Sequence, residues 1–408
     1  MTKTQNKPRY LRKTLWCIVL VILVQVLKKY LDRVLPGSIL FHHYLLTGLQ
    51  LVVLLWTIII LLFPSLAFLK KALILIGIMA LPELLFTYWI KYPAKMPVSC
   101  RAIFNTYCTQ AETNIIQFNP ESSAYNDSLF YTLKPSARFV FSNPEFSDSF
   151  YTNKMGLRDD ESSLQKPDII CLGDSYAMGW GVEQHESFGE QTGAALHKKV
   201  LNAAISSYGT ARELKNLYRL DTSNLQYIIL QYCRNDYREN REFVQNNYSL
   251  NISSEKVYDS LLNDHYWSKL WFPCKRTVTI AKFYAEKKTN RFLFPQKITW
   301  ADSAAYHLKQ AAGYFTDIMF HSAINFKKIK VLVVDLDEKG SMNNDFLDEV
   351  NRLMMLPEYA AHFNNNLVTV PVAELLTDAD YYILDPHIRP SGHRKIAERL
   401  SAYLVTKH

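Results

Sequence analysis

The chain has 408 residues, 49% of them apolar, and a formal charge of +8. That length and apolar content provide for one large unit or two smaller ones and exclude a disordered chain. The Lys and Arg are scattered among aromatics with no zinc-finger or RNA-binding signature, so a membrane accounts for the positive charge better than a nucleic acid does.

From the N-terminus, residues 15–27 form a short apolar run bracketed by Arg12, Lys13, Lys28 and Lys29, whose long side chains can reach two interfaces. Residues 44–63 carry no charge and have about the length needed to cross a ~30 Å hydrocarbon core. Residues 72–90 are nearly as apolar but contain Pro82 and Glu83, which a membrane helix tolerates where they face a partner. Helices are therefore predicted over 15–31, 44–63 and 72–90, in a membrane region of residues 1–91. Lys3, Lys7, Arg9, Arg12 and Lys13 keep the N-terminus cytoplasmic under the positive-inside rule. Three crossings then deliver everything after about residue 92 to the extracytoplasmic side, whereas two would leave it in the cytoplasm; three is the preferred reading. Residues 92–139 read as a connecting segment, in which Cys100 and Cys108 could close a small disulfide loop. Cys171 and Cys233 lie in apolar runs and read as buried packing residues.

From about residue 165, short apolar runs alternate with helical stretches, the pattern of a parallel sheet wrapped by helices. Strands are predicted at 168–172, 199–204, 226–233, 330–336 and 366–372, with a terminal helix opening on Ser391. The first strand runs into "CLGDSYAMGWG", where Asp174 and Ser175 either cap the next helix or place a nucleophile at a strand's carboxyl end. The run is not the Gly-x-Ser-x-Gly elbow, because Ala177 occupies the last position. The third strand ends in "RNDYREN", with Asn235 and Asp236; "LDPHIRPSGHRKIA" places Asp385 and His387 in a turn before the last helix. A serine, an amide and an Asp/His pair thus share one edge of one sheet.

Over about residues 140–405 the sequence resembles the SGNH (GDSL-type) hydrolases, whose motifs occur here in order. "CLGDSYAMGWGVEQHESF" is similar to the first block, which implies Ser175 as nucleophile. "VLNAAISSYGTARELKNL" resembles the second, with Ser207 where an oxyanion-hole glycine is usual and Gly209 two residues on. "CRNDYREN" resembles the third and implies Asn235 as the side-chain oxyanion donor. "LDPHIRPSGHRKIA" resembles the last block and implies His387 as base and Asp385 as its orienting carboxylate, spaced Asp-x-His rather than the commoner Asp-x-x-His. The fold implied is a three-layer, flavodoxin-like α/β domain with a five-stranded parallel sheet, over residues 140–408. The oxyanion hole would combine the Ser175 amide, the Ser207 region and Asn235, with Asp174 and Asp236 in support; Asp236 and Asn240 would hold the loop behind Asn235. His393, one turn inside the last helix, reads as a packing or capping residue. Arg158 reads as one half of a surface ion pair, or as a contact to an anionic group on a substrate.

A serine hydroxyl needs an imidazole to take its proton and return it to the leaving group, and a histidine, with a reference pKa near ~6.5, does both. No His-x-x-x-His or Cys-x-x-Cys spacing occurs and no phosphate-loop or dinucleotide fingerprint, so neither a metal nor a cofactor is expected. The segment 241–300 interrupts the sheet pattern with aromatics, from Tyr258 to Trp300, interleaved with Lys and Arg. It reads as a helical hairpin whose aromatics pack on the sheet, or as a lid resting on an anionic bilayer. The expected function is a membrane-anchored serine ester hydrolase acting through an acyl-serine. The alternatives are an O-acyltransferase of a cell-envelope glycan and an inactive module of an envelope complex. The expected partners are an acyl ester, glycan- or lipid-borne, and the bilayer.

Overall fold

The structure, a computed structural model, describes residues 7–35, 39–293 and 300–405. The expectation placed on Lys3, and that placed on residues 294–299 of the segment 241–300, lie outside them. The chain forms two compact units, Met1–Thr113 with Asp259–Pro295, and Asn114–Tyr258 with Gln296–His408.

The second unit opens with two antiparallel hairpins. β1 (Ser123–Asn126) pairs with β2 (Phe130–Leu133), and β3 (Arg138–Asn143) with β4 (Phe146–Tyr151). Five parallel strands follow: β5 (Ile169–Leu172), β6 (Val200–Asn202), β7 (Tyr227–Tyr232), β8 (Lys330–Asp335) and β9 (Leu367–Thr369). Their spatial order is β6-β5-β7-β8-β9. In sheet order this is 2-1-3-4-5, the flavodoxin-like winding, so the fold expected from the sequence is the one found. Every residue of β5 and β7 is buried, as central parallel strands covered on both faces must be. The helices Phe188–Leu196 and Pro390–Val405 pack on one another. The helices Thr210–Leu217, Asp236–Gln245, Trp300–Phe320 and Asp345–Met354 form a second packed set. The winding reverses at β5, whose neighbours β6 and β7 leave in opposite directions. Open α/β sheets bind their ligands at such a reversal, outside the carboxyl end of the strand, here β5. Residues 114–139, which read as a connecting segment, fall in this unit and build β1, β2 and the start of β3.

The other unit is helical. The helices Lys7–Val34, Ile39–Leu62 and Phe68–Lys91 cover the three predicted stretches but for Phe63, and extend past their other ends. Two segments, Phe41–Leu62 and Phe68–Lys91, are long and apolar enough to cross a membrane. Side chains such as Leu54, Leu62, Leu73 and Leu81 are exposed along them. The helix Lys275–Leu293, inside the predicted insertion, packs against the helices Ile39–Leu62, Phe68–Lys91 and Val98–Tyr107. Its first turn meets the charge that required a partner: Glu83 accepts the Thr277 N–H at 2.8 Å and the Thr277 hydroxyl at 2.9 Å. A carboxylate at a helix N-terminus satisfies N–H groups that have no partner within the helix. The aromatics of the segment divide between the units instead of packing together on the sheet. Tyr258 shares a hydroxyl hydrogen bond with Ser123 in the sheet-bearing unit, whereas Phe272 lies against Phe41 in the helical one. Cys100 and Cys108 are free thiols, not a disulfide.

Candidate active site

β5 ends at Gly173, whose φ of +148° and surroundings admit no side chain: a Cβ there would lie 2.6 Å from both Ala177 Cβ and Gln231 Oε1. The chain then makes a single helical turn, Ser175–Met178, capped by Asp174, whose carboxylate accepts the Tyr176 N–H at 3.0 Å. Capping and the placement of Ser175 are therefore parts of one device. Asp174 fixes the turn, and the next residue, Ser175, is aimed outward with 8% of its surface exposed.

The Ser175 hydroxyl lies 2.7 Å from His387 Nε2, and His387 Nδ1 lies 2.5 Å from Asp385 Oδ1. Three side chains predicted from two separate motifs form one continuous hydrogen-bonded chain. Asp385 also accepts the backbone N–H of His387 at 3.0 Å and the Trp180 indole N–H at 3.2 Å. Burial alone would raise the pKa of this carboxyl, but the charge and hydrogen bonds of His387, with the Trp180 N–H, hold it below the ordinary range. The Trp180 ring stacks on the imidazole, with centroids 4.7 Å apart and planes 16° from parallel. Ring orientation is thus set from the face as well as from the edge.

The oxyanion candidates stand on neighbouring loops. Asn235, exposed at the start of the helix Asp236–Gln245, donates one amide hydrogen to Asp174 Oδ2 at 3.1 Å and has a second to offer. The buried Asp174 carboxyl, with its pKa raised by burial and moderated by its hydrogen bonds, orients that amide. Ser207 has φ +61°, the left-handed conformation that glycine adopts freely, so the backbone at this position keeps a glycine-like form. Among the described residues, neither the Ser175 nor the Ser207 backbone N–H has a hydrogen-bond partner. Asp236 is buried behind Asn235 and accepts from the Thr210 hydroxyl at 3.1 Å; burial and the neighbouring carboxylates raise its pKa well above normal. Asn240 accepts the Ala211 N–H at 3.2 Å and donates to Thr210 at 3.1 Å, which ties the two loop helices together.

His393 is buried apart from this chain of bonds. Its Nδ1 accepts the Phe188 N–H at 3.2 Å, and its ring stacks on Phe188. Arg158 departs from both expectations, surface ion pair and substrate contact. It is fully buried and donates to the carbonyls of Met178 (3.2 Å), Gly179 (2.6 Å) and Val182 (2.8 Å), with its guanidinium 3.6 Å above the Phe150 ring. It secures the turn that follows Ser175. Burial lowers its pKa to about 10.

Several supporting residues have no local signature. Glu145, at the β3–β4 turn, accepts the backbone N–H groups of Ile383 (2.8 Å), Leu384 (2.5 Å) and Asp385 (3.0 Å). Asn143 reaches Asp385 Oδ2 at 3.5 Å. Gln231 accepts the N–H groups of Asp174 (3.0 Å) and Ala177 (3.3 Å). The one available signal was the excess of polar residues in a hairpin flanked by aromatics.

No family model and no curated protein matches the chain. Among solved structures, 57% of the chain is similar to 97% of a putative lipolytic protein of the G-D-S-L family from Desulfitobacterium hafniense DCB-2, at 11% identity and a TM-score of 0.29. The same share is similar to 95% of the lipase Lip_vut3 from a goat rumen metagenome, at 13% identity and a TM-score of 0.30.

Proposed function

We propose that the protein is a membrane-anchored serine ester hydrolase in which Ser175 attacks an ester carbonyl and forms an acyl-serine. The observation that carries this reading is the continuous chain Asp385–His387–Ser175, with bonds of 2.5 and 2.7 Å. Nucleophile, base and orienting carboxylate need that contact order, and a structural hydrogen-bond network does not. His387 takes the hydroxyl proton at Nε2 and gives it to the departing alcohol, while Asp385 keeps the tautomer that leaves Nε2 free to accept. Water then attacks the acyl-serine, with His387 as base once more.

Charge on the carbonyl oxygen would be met by the backbone N–H groups of Ser175 and Ser207 and by the second Asn235 amide hydrogen. Each such donor is worth about 3 kcal/mol in the transition state. The substrate is an acyl ester, glycan- or lipid-borne. The N-terminal helices, with their exposed leucines, anchor the enzyme in a bilayer as three crossings, with the catalytic unit on the extracytoplasmic side.

The test is labelling of full-length protein in detergent with a fluorophosphonate. Labelling of the native chain and its loss in Ser175→Ala, at an unchanged melting temperature, is the expected result. Equal labelling of the variant would refute the assignment, and an unlabelled native chain would favour a non-catalytic module.

A further inference from the structure

Outside the candidate active site, one group of side chains collects metal-ligand chemistry in the helical unit. Asp32 lies near the end of the helix Lys7–Val34, and His42 and His43 lie in the first turns of the helix Ile39–Leu62. The Nε2 atoms of the two histidines stand 2.8 and 2.7 Å from the same oxygen, Asp32 Oδ1, and the three donor atoms lie within 4.8 Å of one another. We propose that Asp32, His42 and His43 form a site for a divalent transition metal of the zinc class.

The geometry favours a shared ion. A tetrahedral zinc set with bonds near 2.0–2.1 Å places its donors about 3.3 Å apart, so the two nitrogens need to withdraw from the oxygen by only about half an ångström. The two rings are 5.1 Å apart and inclined at 61°, so they approach the carboxylate from different directions, as ligands on one face of a metal do. Two neutral imidazoles and one carboxylate select zinc, cobalt or nickel over magnesium or calcium, which take oxygen ligands. His42 is buried, whereas Asp32 and His43 are each about one-third exposed, which leaves an entry path and a fourth position for water.

Position supports the same conclusion. The cluster lies where the first two helices adjoin, with Asp32 beyond the apolar run 15–27 and both histidines in the first turn of the apolar segment Phe41–Leu62. One turn further along, Lys28 donates to Thr47 Oγ1 at 2.8 Å, so the two helices are already joined by polar contacts on this side. A metal would fasten the hairpin at its connected end. Expecting no metal from the sequence relied on spacing within one element; these ligands come from two helices, nine residues separating the acid from the first histidine.

The experiment uses metal-stripped full-length protein in detergent, titrated with Zn2+ by equilibrium dialysis and with Co2+ by visible absorption. The native chain is expected to bind one equivalent more than His42→Gln/His43→Gln, a variant whose amides still donate to Asp32. Zn2+ is expected to raise the melting temperature of the native chain alone. Should the double variant fail to fold, Asp32→Asn keeps both imidazoles and nearly the same shape, and is expected to weaken binding at least tenfold. The proposal is overturned if native protein binds no more Zn2+ than the double variant, or if Asp32→Asn leaves both affinity and the cobalt spectrum unchanged.

Discussion

Replacing His393 by glutamine separates the two histidines of the last motif and gives a measurable pH signature. His393 is buried, and burial, reinforced by the Arg158 charge, lowers its pKa to about 3 from a reference of about 6.5. Below pH 6.5 the unfolded chain takes a proton that the folded chain refuses, so folding stability contributed here is complete above pH 6.5 and is lost as pH falls toward 3. At 1.36 kcal/mol per unit, the loss between pH 7.5 and pH 5 from this residue is about 2 kcal/mol. Glutamine can still accept the Phe188 N–H, which the histidine accepts at 3.2 Å, but it does not titrate. The variant should lose about 1 kcal/mol at pH 7.5, because the ring stack on Phe188 goes, and show a shallower decline on acidification. Urea unfolding of full-length native and variant protein at the two pH values measures this; the difference between the chains removes groups common to both. Parallel declines, agreeing within about 0.5 kcal/mol, would refute the buried neutral histidine. Fluorophosphonate labelling should survive in this variant and disappear in His387→Ala.

Asp385→Asn should lower turnover by about 10^4 with little change in stability, because the amide fixes the wrong imidazole tautomer. Trp180→Phe, which keeps the ring but deletes the N–H to Asp385, should cost about tenfold in kcat and leave KM unchanged. Ser207→Gly should retain turnover, since the backbone N–H and the left-handed φ both persist, whereas Ser207→Val should lose about 1–2 kcal/mol of stability together with activity, as measured by melting and ester hydrolysis. A reporter fused after residue 92 should report the extracytoplasmic side; a cytoplasmic signal would mean that residues 15–27 do not cross.

The strands were legible because parallel strands covered on both faces are written as unbroken apolar runs. Their ends were less so. The run 199–204 is strand only at Val200–Asn202; beyond it the Ala203 and Ile205 N–H groups still bond the Cys171 and Gly173 carbonyls, at 2.9 and 3.1 Å, while Asn202 turns its own N–H to the buried Asp159 carboxylate at 2.7 Å. The run 366–372 pairs only over Leu367–Thr369, opposite Val331–Val333. At the candidate site, the residues readable in advance were those carried by short motifs at strand ends. Arg158 was misread because a lone arginine before a strand carries no sign that it will be buried. Only the folded loop presents three carbonyls to its guanidinium.

The Asp-x-His spacing explains why the least legible residue, Glu145, is needed. With one residue between them, Asp385 can accept both the backbone N–H and the ring N–H of His387, at 3.0 and 2.5 Å, so the pair orients itself within a single turn. Such a turn leaves its own preceding N–H groups pointing away from any strand partner. Glu145 accepts three of them, from 238 to 240 residues away in sequence. Charge-assisted bonds of this kind contribute about 1.5–3 kcal/mol each, less where they share one carboxylate. The hairpin β3–β4 is therefore part of the scaffold of the candidate site: it holds the turn that carries Asp385 and His387. A local motif records the residues of the candidate site, whereas the strut that keeps them in register can come from anywhere the fold brings a carboxylate, and no spacing in the sequence marks it.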